Sequence, residues 1–424
     1  MSASPEPSTT AITDLRIVDG RSEQPIEGDV VVIGGDGRIA AIGTGRSAVP
    51  EGATIIEGNG ATCVPGLIDC HVHLWAKHEF LHDSVRRSLS EAIGLMLASG
   101  RGFLEAGVTT ARDAGGAPAG VKRMFERGEF PGPRLQVSVV PLSITGGHGD
   151  GMTPSGVDLL GDAPSTELPA GIADGADEVR RVVRRQIRAG ADWIKVMATG
   201  GVYSLMDAPD AVQYTVEEMA VMVEEADHAG LRGVMAHTEN ARGTKNALRA
   251  GIRSIEHGDG LDDEAIDLML ERDVPLVPTF LVNEEMLRED RVESGLTPPW
   301  AVDKVRVLLS ELDARFRHAV ERGVRVVMGT DGFHGSHLPA ELSLMVEHGL
   351  SPLAALRAGT IEAARLLRLE NELGTIEPGR TADLLLLDFD PFTDPAHWRD
   401  PAAVAMVLQA GKVVADRRAG TTAG

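Results

Sequence analysis

Alternating apolar and polar positions predict four short β-strands in the first sixty residues, with no helical periodicity between them. The four runs lie at residues 12–18, 30–33, 38–42 and 54–57. The Gly-rich segment 34–37 joins the second run to the third and is typical of a hairpin turn. A phosphate-binding loop is the alternative, but a helix would have to follow it, and no helical pattern does. The start of the chain is therefore predicted to be a small β-sheet.

From residue 64 the pattern changes to β-type runs that alternate with helical segments. The eight strand cores lie at residues 67–69, 108–111, 135–140, 193–196, 233–236, 254–256, 275–277 and 324–328. Helix ends are marked between them, since residues 215–218 form a capping box and Gly190 follows a helical stretch as a C-cap glycine. Eight such repeats over about 300 residues predict an α/β fold with a (β/α)8 TIM barrel. An open, doubly wound sheet is the competing α/β interpretation.

The end of the chain returns to β-type runs at residues 382–388 and 404–414, after a turn at 374–379. The two β-rich ends are predicted to pair into one small β-sandwich. We therefore expect residues 1–63 and 371–424 to form the sandwich and residues 64–370 to form the barrel.

Charge and composition exclude several classes of partner. The formal net charge is −22, which argues against a nucleic acid or an anionic membrane surface, because both are bound by basic patches. No run of 18 apolar residues predicts a membrane span. Residues 1–10 are rich in Ser, Pro and Thr and lack the features of a signal peptide, so they are predicted to be a disordered lead. The cytoplasm is the expected location.

The chain has two cysteines, Cys63 and Cys70. Two cysteines cannot form a disulfide framework for a chain of this length. We expect both to be buried free thiols in a reducing compartment.

Two histidines close the first strand of the predicted barrel. Side chains alternate across a strand, so His71 and His73 point to the same side. Two imidazoles on one side of a strand end can share one cation, and imidazole is a preferred zinc ligand. A pair of ordinary histidines is the alternative.

Four more polar residues lie at predicted strand ends. In a barrel, the functional groups gather at the carboxyl ends of the strands. Taken singly, each histidine is compatible with a core position and the aspartate with a helix cap; taken together with the first pair, they predict a metal site. These residues are Lys195, His237, His257 and Asp331.

Lys195 lies within an apolar run, where an unpaired ammonium group is costly. Extension of the side chain to the strand end is one solution. An ammonium group does not ligate a metal, but the carbamate that forms when the amine reacts with carbon dioxide carries two oxygens and can bridge two metals. Lys195 therefore indicates a second metal.

Nearly the whole chain resembles a known family, the metal-dependent amidohydrolase superfamily in its binuclear form. The motifs are residues 64–73, the lysine strand, 329–331 and 374–384. Segments 195–201 and 213–215 are most similar to the branch of Xaa-Pro dipeptidases, ochratoxin-type amidases and aryl-amide hydrolases. The resemblance implies a homo-oligomer that acts on a small molecule.

The resemblance also implies a ligand set. His71, His73 and Asp331 would hold one zinc, His237 and His257 a second zinc, and carboxylated Lys195 would bridge both. The implied activity is hydrolysis of an amide or peptide bond by a metal-bridging hydroxide, whose proton Asp331 takes. The implied substrates are an N-acyl amino acid, a Xaa-Pro dipeptide or an ochratoxin-like aryl amide.

Further residues are candidates for substrate contacts. Tyr214 and His148 match catalytic or substrate-binding positions of this branch; the alternatives are a packing aromatic and a surface histidine. Asp113 is a candidate to orient a ligand histidine. His334 and His337 are predicted to line the entrance, with a solvated loop as the alternative. Glu239 either lies near the metals or caps the next helix. The apolar residues Leu142, Phe280 and Phe333 are expected near the mouth.

Three rival functions fit parts of this pattern. Lactonases and phosphotriesterases of the same superfamily share the ligand set. A mononuclear deaminase does not need Lys195. A non-catalytic barrel would require loss of ligands, and all six ligand positions are present here.

Overall fold

The alternation of strands and helices predicted from residue 64 onward is confirmed in the computed structural model, which describes residues 9–77, 87–158 and 165–418. The strands are β1 Thr10–Ile17, β2 Val30–Ile33, β3 Ile39–Gly43, β4 Thr54–Pro65, β5 Leu67–Lys77, β6 Val108–Asp113, β7 Arg134–Val137, β8 Trp193–Met197, β9 Gly233–Thr238, β10 Ser254–His257, β11 Leu276–Val277, β12 Gly332–His334, β13 Leu384–Leu387, β14 Val404–Gln409 and β15 Lys412–Asp416. The helices are α1 Leu89–Glu105, α2 Ala119–Glu126, α3 Ala176–Ala189, α4 Val216–His228, α5 Ala241–Ala250, α6 Asp263–Arg272, α7 Phe280–Leu287, α8 Glu289–Ser294, α9 Pro299–Arg322, α10 Ala340–Glu347, α11 Pro352–Ala358 and α12 Ile361–Leu366. The predicted disordered lead falls, up to residue 8, outside the described residues.

Local signals in the sequence account for the helix ends. The Thr215 hydroxyl accepts a hydrogen bond from the Glu218 backbone N–H (3.2 Å), and the Glu218 carboxylate accepts one from the Thr215 backbone N–H (2.9 Å). This is the capping box that the sequence predicted. Gly190 ends α3 with a φ of 95°, in the left-handed region that glycine tolerates best.

Strands from both ends of the chain form one seven-stranded sheet, in the order β15-β14-β13-β4-β1-β2-β3. β13 lies antiparallel to β4, with Leu386 opposite Cys63. The predicted pairing of the two ends is therefore confirmed. A two-sheet sandwich is not confirmed, because β4 is longer than the predicted run at 54–57 and joins both groups of strands within a single sheet. Apolar side chains of this sheet form a buried core that includes Ile12, Leu384 and Leu386.

The central part of the chain contains two four-stranded sheets, β11-β10-β9-β8 and β12-β5-β6-β7. Isolated parallel bridges extend them, one between Leu142 and Val196 and one between Leu276 and Val326. The Cys70 backbone N–H also donates to the Met328 carbonyl (2.9 Å). The eighth predicted strand, at 324–328, thus makes single contacts instead of a ladder, and the described residues show no continuous eight-stranded barrel.

The chain divides into two compact units. One comprises the residues up to Ile68, Phe103–Thr110 and the residues from His337 onward; the other comprises Asp69–Gly102 and Ala111–Ser336. The boundaries 63/64 and 370/371 remain predictions. Cys63 and Cys70 are buried and are not joined in a disulfide, as expected. Across residues 9–77, 87–158 and 165–418, no helix combines the length and the apolar composition needed to cross a membrane.

Truncating a buried side chain of the seven-stranded sheet tests its role as a core. Leu386 is fully buried in β13, so Leu386→Ala is expected to lower the free energy of unfolding by about 2–5 kcal/mol. Val413→Ala, on edge strand β15 and 44% exposed in the wild type, is the matched control and should change it by less than about 0.5 kcal/mol. Urea denaturation measures both; equal effects would contradict the assignment of this core.

Candidate active site

The six residues predicted as metal ligands lie together in the unit that comprises Asp69–Gly102 and Ala111–Ser336. His73 Nε2 is 3.1 Å from Asp331 Oδ1, and His71 Nε2 is 3.6 Å from the same oxygen. The Lys195 Nζ lies 3.4 Å from His71 Nε2. Residues more than 250 positions apart in the chain therefore present their polar atoms to one space.

The other two histidines border the same space. The ring centroids of His71 and His257 are 5.1 Å apart, and those of His237 and His257 are 4.6 Å apart. One potential ligand atom each of His71, His257 and Asp331 lies within 4.8 Å of the others. His148 stacks on His237, with a centroid distance of 4.3 Å.

Two of these residues have unusual backbone conformations. His257 has a φ of 66° and Asp331 a φ of 52°, in the left-handed region that non-glycine residues seldom adopt. Such conformations persist where surrounding contacts enforce them and cluster at functional sites. Near Asp331, the Thr330 hydroxyl donates to Asp69 Oδ2 (2.7 Å), and the Asp331 backbone N–H donates to the His71 carbonyl (2.8 Å). These contacts hold the aspartate against β5.

Each histidine of the first predicted zinc site has one ring nitrogen engaged by the protein. His71 Nδ1 is 2.8 Å from Glu256 Oε2, and His73 Nδ1 is 2.8 Å from the Gly115 carbonyl oxygen. The Gly115 carbonyl oxygen can only accept a hydrogen bond, and the same holds for the Glu256 carboxylate when it is ionised. Each Nδ1 therefore carries the proton. The Nε2 atoms are the ring nitrogens that face Asp331.

The histidines of the second predicted site are oriented in a similar way. His237 Nε2 lies 3.2 Å from the Gly200 carbonyl oxygen and 3.6 Å from Glu239 Oε1, which leaves Nδ1 for a ligand. His257 Nδ1 lies 2.7 Å from the Thr279 hydroxyl, which leaves Nε2. Four imidazoles with one nitrogen fixed and one available, together with a carboxylate, form a donor set that suits zinc.

A buried charge network supports His71. Glu256 Oε1 accepts a hydrogen bond from Arg112 Nη2 (2.8 Å), and Arg112 Nη1 donates to the Ser254 hydroxyl (3.1 Å). The Arg112 guanidinium also lies 4.6 Å from the centroid of the Trp193 ring. Arg112 and Glu256 are fully buried, so each needs the other to remain charged.

The electrostatics of the site favour a reactive amine and an ionised aspartate. Burial lowers the pKa of Lys195 to about 8, although Glu256 and Asp331 oppose the shift. Burial alone would raise the pKa of Asp331, but His71 and His73 together hold it well below its usual range. Lys195 thus loses its proton more easily than a solvated lysine, while Asp331 remains a carboxylate.

Two further predicted residues have contacts that bear on their roles. His148 Nδ1 is 2.9 Å from the Ser204 hydroxyl, which holds its ring beside His237. The Tyr214 side chain is buried and its hydroxyl donates to the Ala173 carbonyl (2.9 Å). That contact favours the alternative, a packing aromatic, and the substrate role of Tyr214 stays a prediction.

Asp113 contacts the backbone of a loop beside the predicted ligands. Its carboxylate accepts hydrogen bonds from the backbone N–H groups of Leu74 (2.9 Å) and Gly115 (3.0 Å). Since the Gly115 carbonyl contacts His73, Asp113 orders the loop that orients this histidine instead of contacting the ring itself.

Several residues expected near the mouth have other contacts. His337 Nε2 is 2.9 Å from the Trp398 carbonyl oxygen, and β12 places His334 opposite Lys77. Leu142 is fully buried, and Phe280 packs edge-to-face on Phe316. The roles of His334, His337 and Phe333 as an entrance remain predictions.

Glu239 is buried, and its role was open at the sequence level. Burial, followed by repulsion from Asp259, raises the pKa of its carboxyl group well above the usual range. The ionised form therefore requires a cation nearby.

Sequence reasoning missed Glu256 and Arg112. Glu256 directly precedes His257 in the run Ser254–His257, and Arg112 is a charged residue inside the apolar strand β6. The available signal was that each of these two charged residues lies inside a predicted strand. The same cost of burial that singled out Lys195 applied to both residues, but their partners are not neighbours in the sequence.

Comparison with known proteins identifies the class. The model of the Amidohydrolase family matches residues 62–414, so the chain belongs to this family. It is 34% identical over 363 residues to the ochratoxinase of Aspergillus niger, covering 82% of this chain and 75% of that protein. The chain is therefore a hydrolytic enzyme that acts on C–N bonds, in a family whose substrates are small molecules.

Solved structures agree with this assignment. A prolidase complexed with N-methylphosphonate-L-proline is 32% identical, with a TM-score of 0.88, covering 97% of this chain and 100% of that one. A Xaa-Pro dipeptidase with bound methionine is 30% identical (TM-score 0.84; 96% and 99% covered). Ochratoxinase from A. niger is 31% identical (TM-score 0.83; 97% and 96%). The predicted TIM-barrel-like α/β fold is thereby confirmed.

Replacing Glu256 tests how far His71 depends on it. In Glu256→Gln, an uncharged amide replaces the carboxylate that contacts both Arg112 and His71. We therefore expect the apparent affinity for zinc to fall by about 10- to 100-fold. The measurement is bound metal after dialysis against graded chelator. Glu264→Gln, which alters an exposed carboxylate paired with Lys245, is the control and should retain metal. Wild-type retention in Glu256→Gln would contradict the proposed support.

Proposed function

We propose that the chain is a binuclear zinc hydrolase that cleaves the amide or peptide bond of a small molecule. The candidate substrates are an N-acyl amino acid, a Xaa-Pro dipeptide and an aryl amide of the ochratoxin type. The observation that carries the proposal is the meeting of four histidines, each with one ring nitrogen fixed and the other available, around Lys195 and Asp331. The ochratoxinase and prolidase relatives support the choice of amide substrates.

The proposed ligand set follows the donor atoms. His71, His73 and Asp331 would hold one zinc, and His237 and His257 the second. Lys195, as a carbamate, would serve both. Its amine attacks carbon dioxide, the new N–C bond forms, and one proton leaves the nitrogen; the lowered pKa of Lys195 makes the required neutral amine available near pH 8.

The zinc ions, when bound, supply Lewis acidity that polarises the scissile carbonyl and acidifies water. Asp331 takes a proton from the attacking water at its carboxylate, which His71 and His73 hold in the ionised form. The water oxygen bonds to the carbonyl carbon, the C–N bond breaks, and Asp331 delivers the proton to the leaving nitrogen. His148, beside His237, faces the substrate.

A substrate panel tests the proposal. The zinc-loaded enzyme is assayed with Xaa-Pro dipeptides, N-acyl amino acids, aryl amides, lactones and phosphotriesters. We expect turnover of at least one amide class with kcat/KM above that for the esters, because Asp331 can protonate a leaving nitrogen. Turnover confined to lactones or phosphotriesters would show that the amide assignment is wrong.

Lys195 provides a separate test of the bridging group. Lys195→Ala is expected to lose bound metal and to lower activity by at least about 100-fold, because the site loses a ligand shared by both metals. Short carboxylic acids added to the variant should restore part of both, since a carboxylate can replace the carbamate. Metal content and amide hydrolysis are measured with and without propionate. Wild-type activity in the unrescued variant would remove the carbamate from the mechanism.

A further inference from the structure

One ammonium group binds three backbone carbonyls of the 201–207 loop, which lies between β8 and α4. The Nζ of Lys304, on α9, donates to the carbonyls of Gly201 (3.1 Å), Ser204 (2.7 Å) and Asp207 (2.7 Å). An ammonium group has three N–H donors, so this loop engages all of them. The Lys304 side chain is only 18% exposed. The conformation of the loop therefore depends on a side chain about 100 positions away in the chain.

The helix α9 contacts the same loop at two more points. Trp300 Nε1 donates to the Tyr203 carbonyl (3.2 Å). Val202 packs with Ala301 and Val305 in one buried apolar cluster. Apolar packing has no directional preference, whereas hydrogen bonds to carbonyls fix how the peptide planes are turned. The ammonium group therefore determines the orientation of the loop backbone on the helix.

The three residues whose carbonyls bind Lys304 also border His148. The Ser204 hydroxyl donates to the Asp207 carboxylate, so its oxygen accepts a hydrogen bond from His148 Nδ1 (2.9 Å). Asp207 Oδ2 lies 3.6 Å from the same nitrogen. A Cβ atom at Gly201 would overlap the His148 ring, so the imidazole packs directly on the glycine backbone. The loop thus connects the ammonium group to the imidazole.

His148 in turn borders the predicted metal site. Its ring stacks on His237, with a centroid distance of 4.3 Å and an interplanar angle of 18°. Because Nδ1 donates to Ser204, Nε2 is the ring nitrogen available to a bound molecule. A shift of the loop would move this nitrogen.

We propose that Lys304 is a positioning residue for amide hydrolysis. Its ammonium group fixes the 201–207 loop, and the loop sets the place and orientation of the His148 ring. The inference rests on the proposed function, in which His148 faces the substrate. Lys304 acts through His148 and is assigned no contact with substrate or metal.

A double-mutant cycle with His148 tests the inference. The zinc-loaded enzyme is assayed with the amide that the substrate panel selects. Lys304→Met removes the three donors and keeps an unbranched side chain, so we expect kcat/KM to fall by about 10- to 100-fold as the loop and His148 shift. His148→Asn should lower kcat/KM as well. In the His148→Asn background, Lys304→Met should change kcat/KM by less than about 2-fold, because its effect passes through the missing imidazole.

Limited proteolysis measures the order of the loop independently of activity. The loop presents Tyr203, Leu205 and Met206, which are 38%, 47% and 57% exposed, to chymotrypsin. Cleavage requires local opening of the backbone, so Lys304→Met should speed cleavage at these residues by at least about 10-fold. Mass spectrometry of the fragments identifies the sites.

Lys245→Met is the matched control. The Lys245 side chain is 17% exposed and pairs with Asp262 and Glu264, so the substitution removes a similarly buried ammonium group elsewhere. It should keep wild-type kcat/KM and wild-type cleavage. Lys304→Arg retains the charge but cannot direct three donors from one atom. It replaces Lys304→Met in the cycle if the methionine variant does not fold, with a smaller fall in kcat/KM expected.

The other outcomes overturn the inference. Equal effects of Lys304→Met in both His148 backgrounds would mean that Lys304 acts independently of His148. Unchanged cleavage would show that the loop does not depend on the ammonium group. Zinc content is measured for every variant, and loss of zinc in Lys304→Met would assign its effect to the metal site. These results leave amide hydrolysis intact, whereas failure of the wild type to hydrolyse any amide of the panel would overturn the proposed function as well.

Discussion

A charged group buried at the end of a strand is stable only when a partner reaches it, and this constraint organises the site. Arg112 and Glu256 are fully buried and pair at 2.8 Å, and the second oxygen of Glu256 contacts His71 Nδ1. One ion pair therefore stabilises the interior of the unit and orients an imidazole. The same requirement explains why the polar groups at these strand ends occur as pairs instead of isolated charges.

The carboxylates near the histidines differ in function because their surroundings differ. Glu256 is neutralised by Arg112 and has a supporting role. Asp331 faces two imidazoles that favour its ionised form, which suits a group that accepts and returns a proton. Glu239 contacts the Val202 backbone N–H and His237 Nε2, which is the ring nitrogen turned away from the predicted metal position. Position alone does not separate these roles; the neighbours of each carboxylate do.

Much of the chain was predictable because its signals are local. The capping box at Thr215 and the glycine after α3 act within a few residues, so the sequence is enough to place those helix ends. The prediction of the eighth strand was less accurate. Residues 324–328 have a strand-like composition, but only Val326 forms a β-bridge. Composition reports a preference for extended structure, whereas a ladder depends on the partner strand.

The sequence by itself determined the α/β alternation, the residues at the strand ends and the resemblance that they carry, because hydrophobic period and spacing are properties of neighbouring positions. The tertiary structure decided which nitrogen of each histidine is available, since Glu256 is 185 positions from His71. It also decided that the Tyr214 hydroxyl contacts Ala173, and that Glu239 and Asp259 lie on adjacent strand ends. Hydrogen bonds between distant residues have no periodic signature, so only the folded chain shows them.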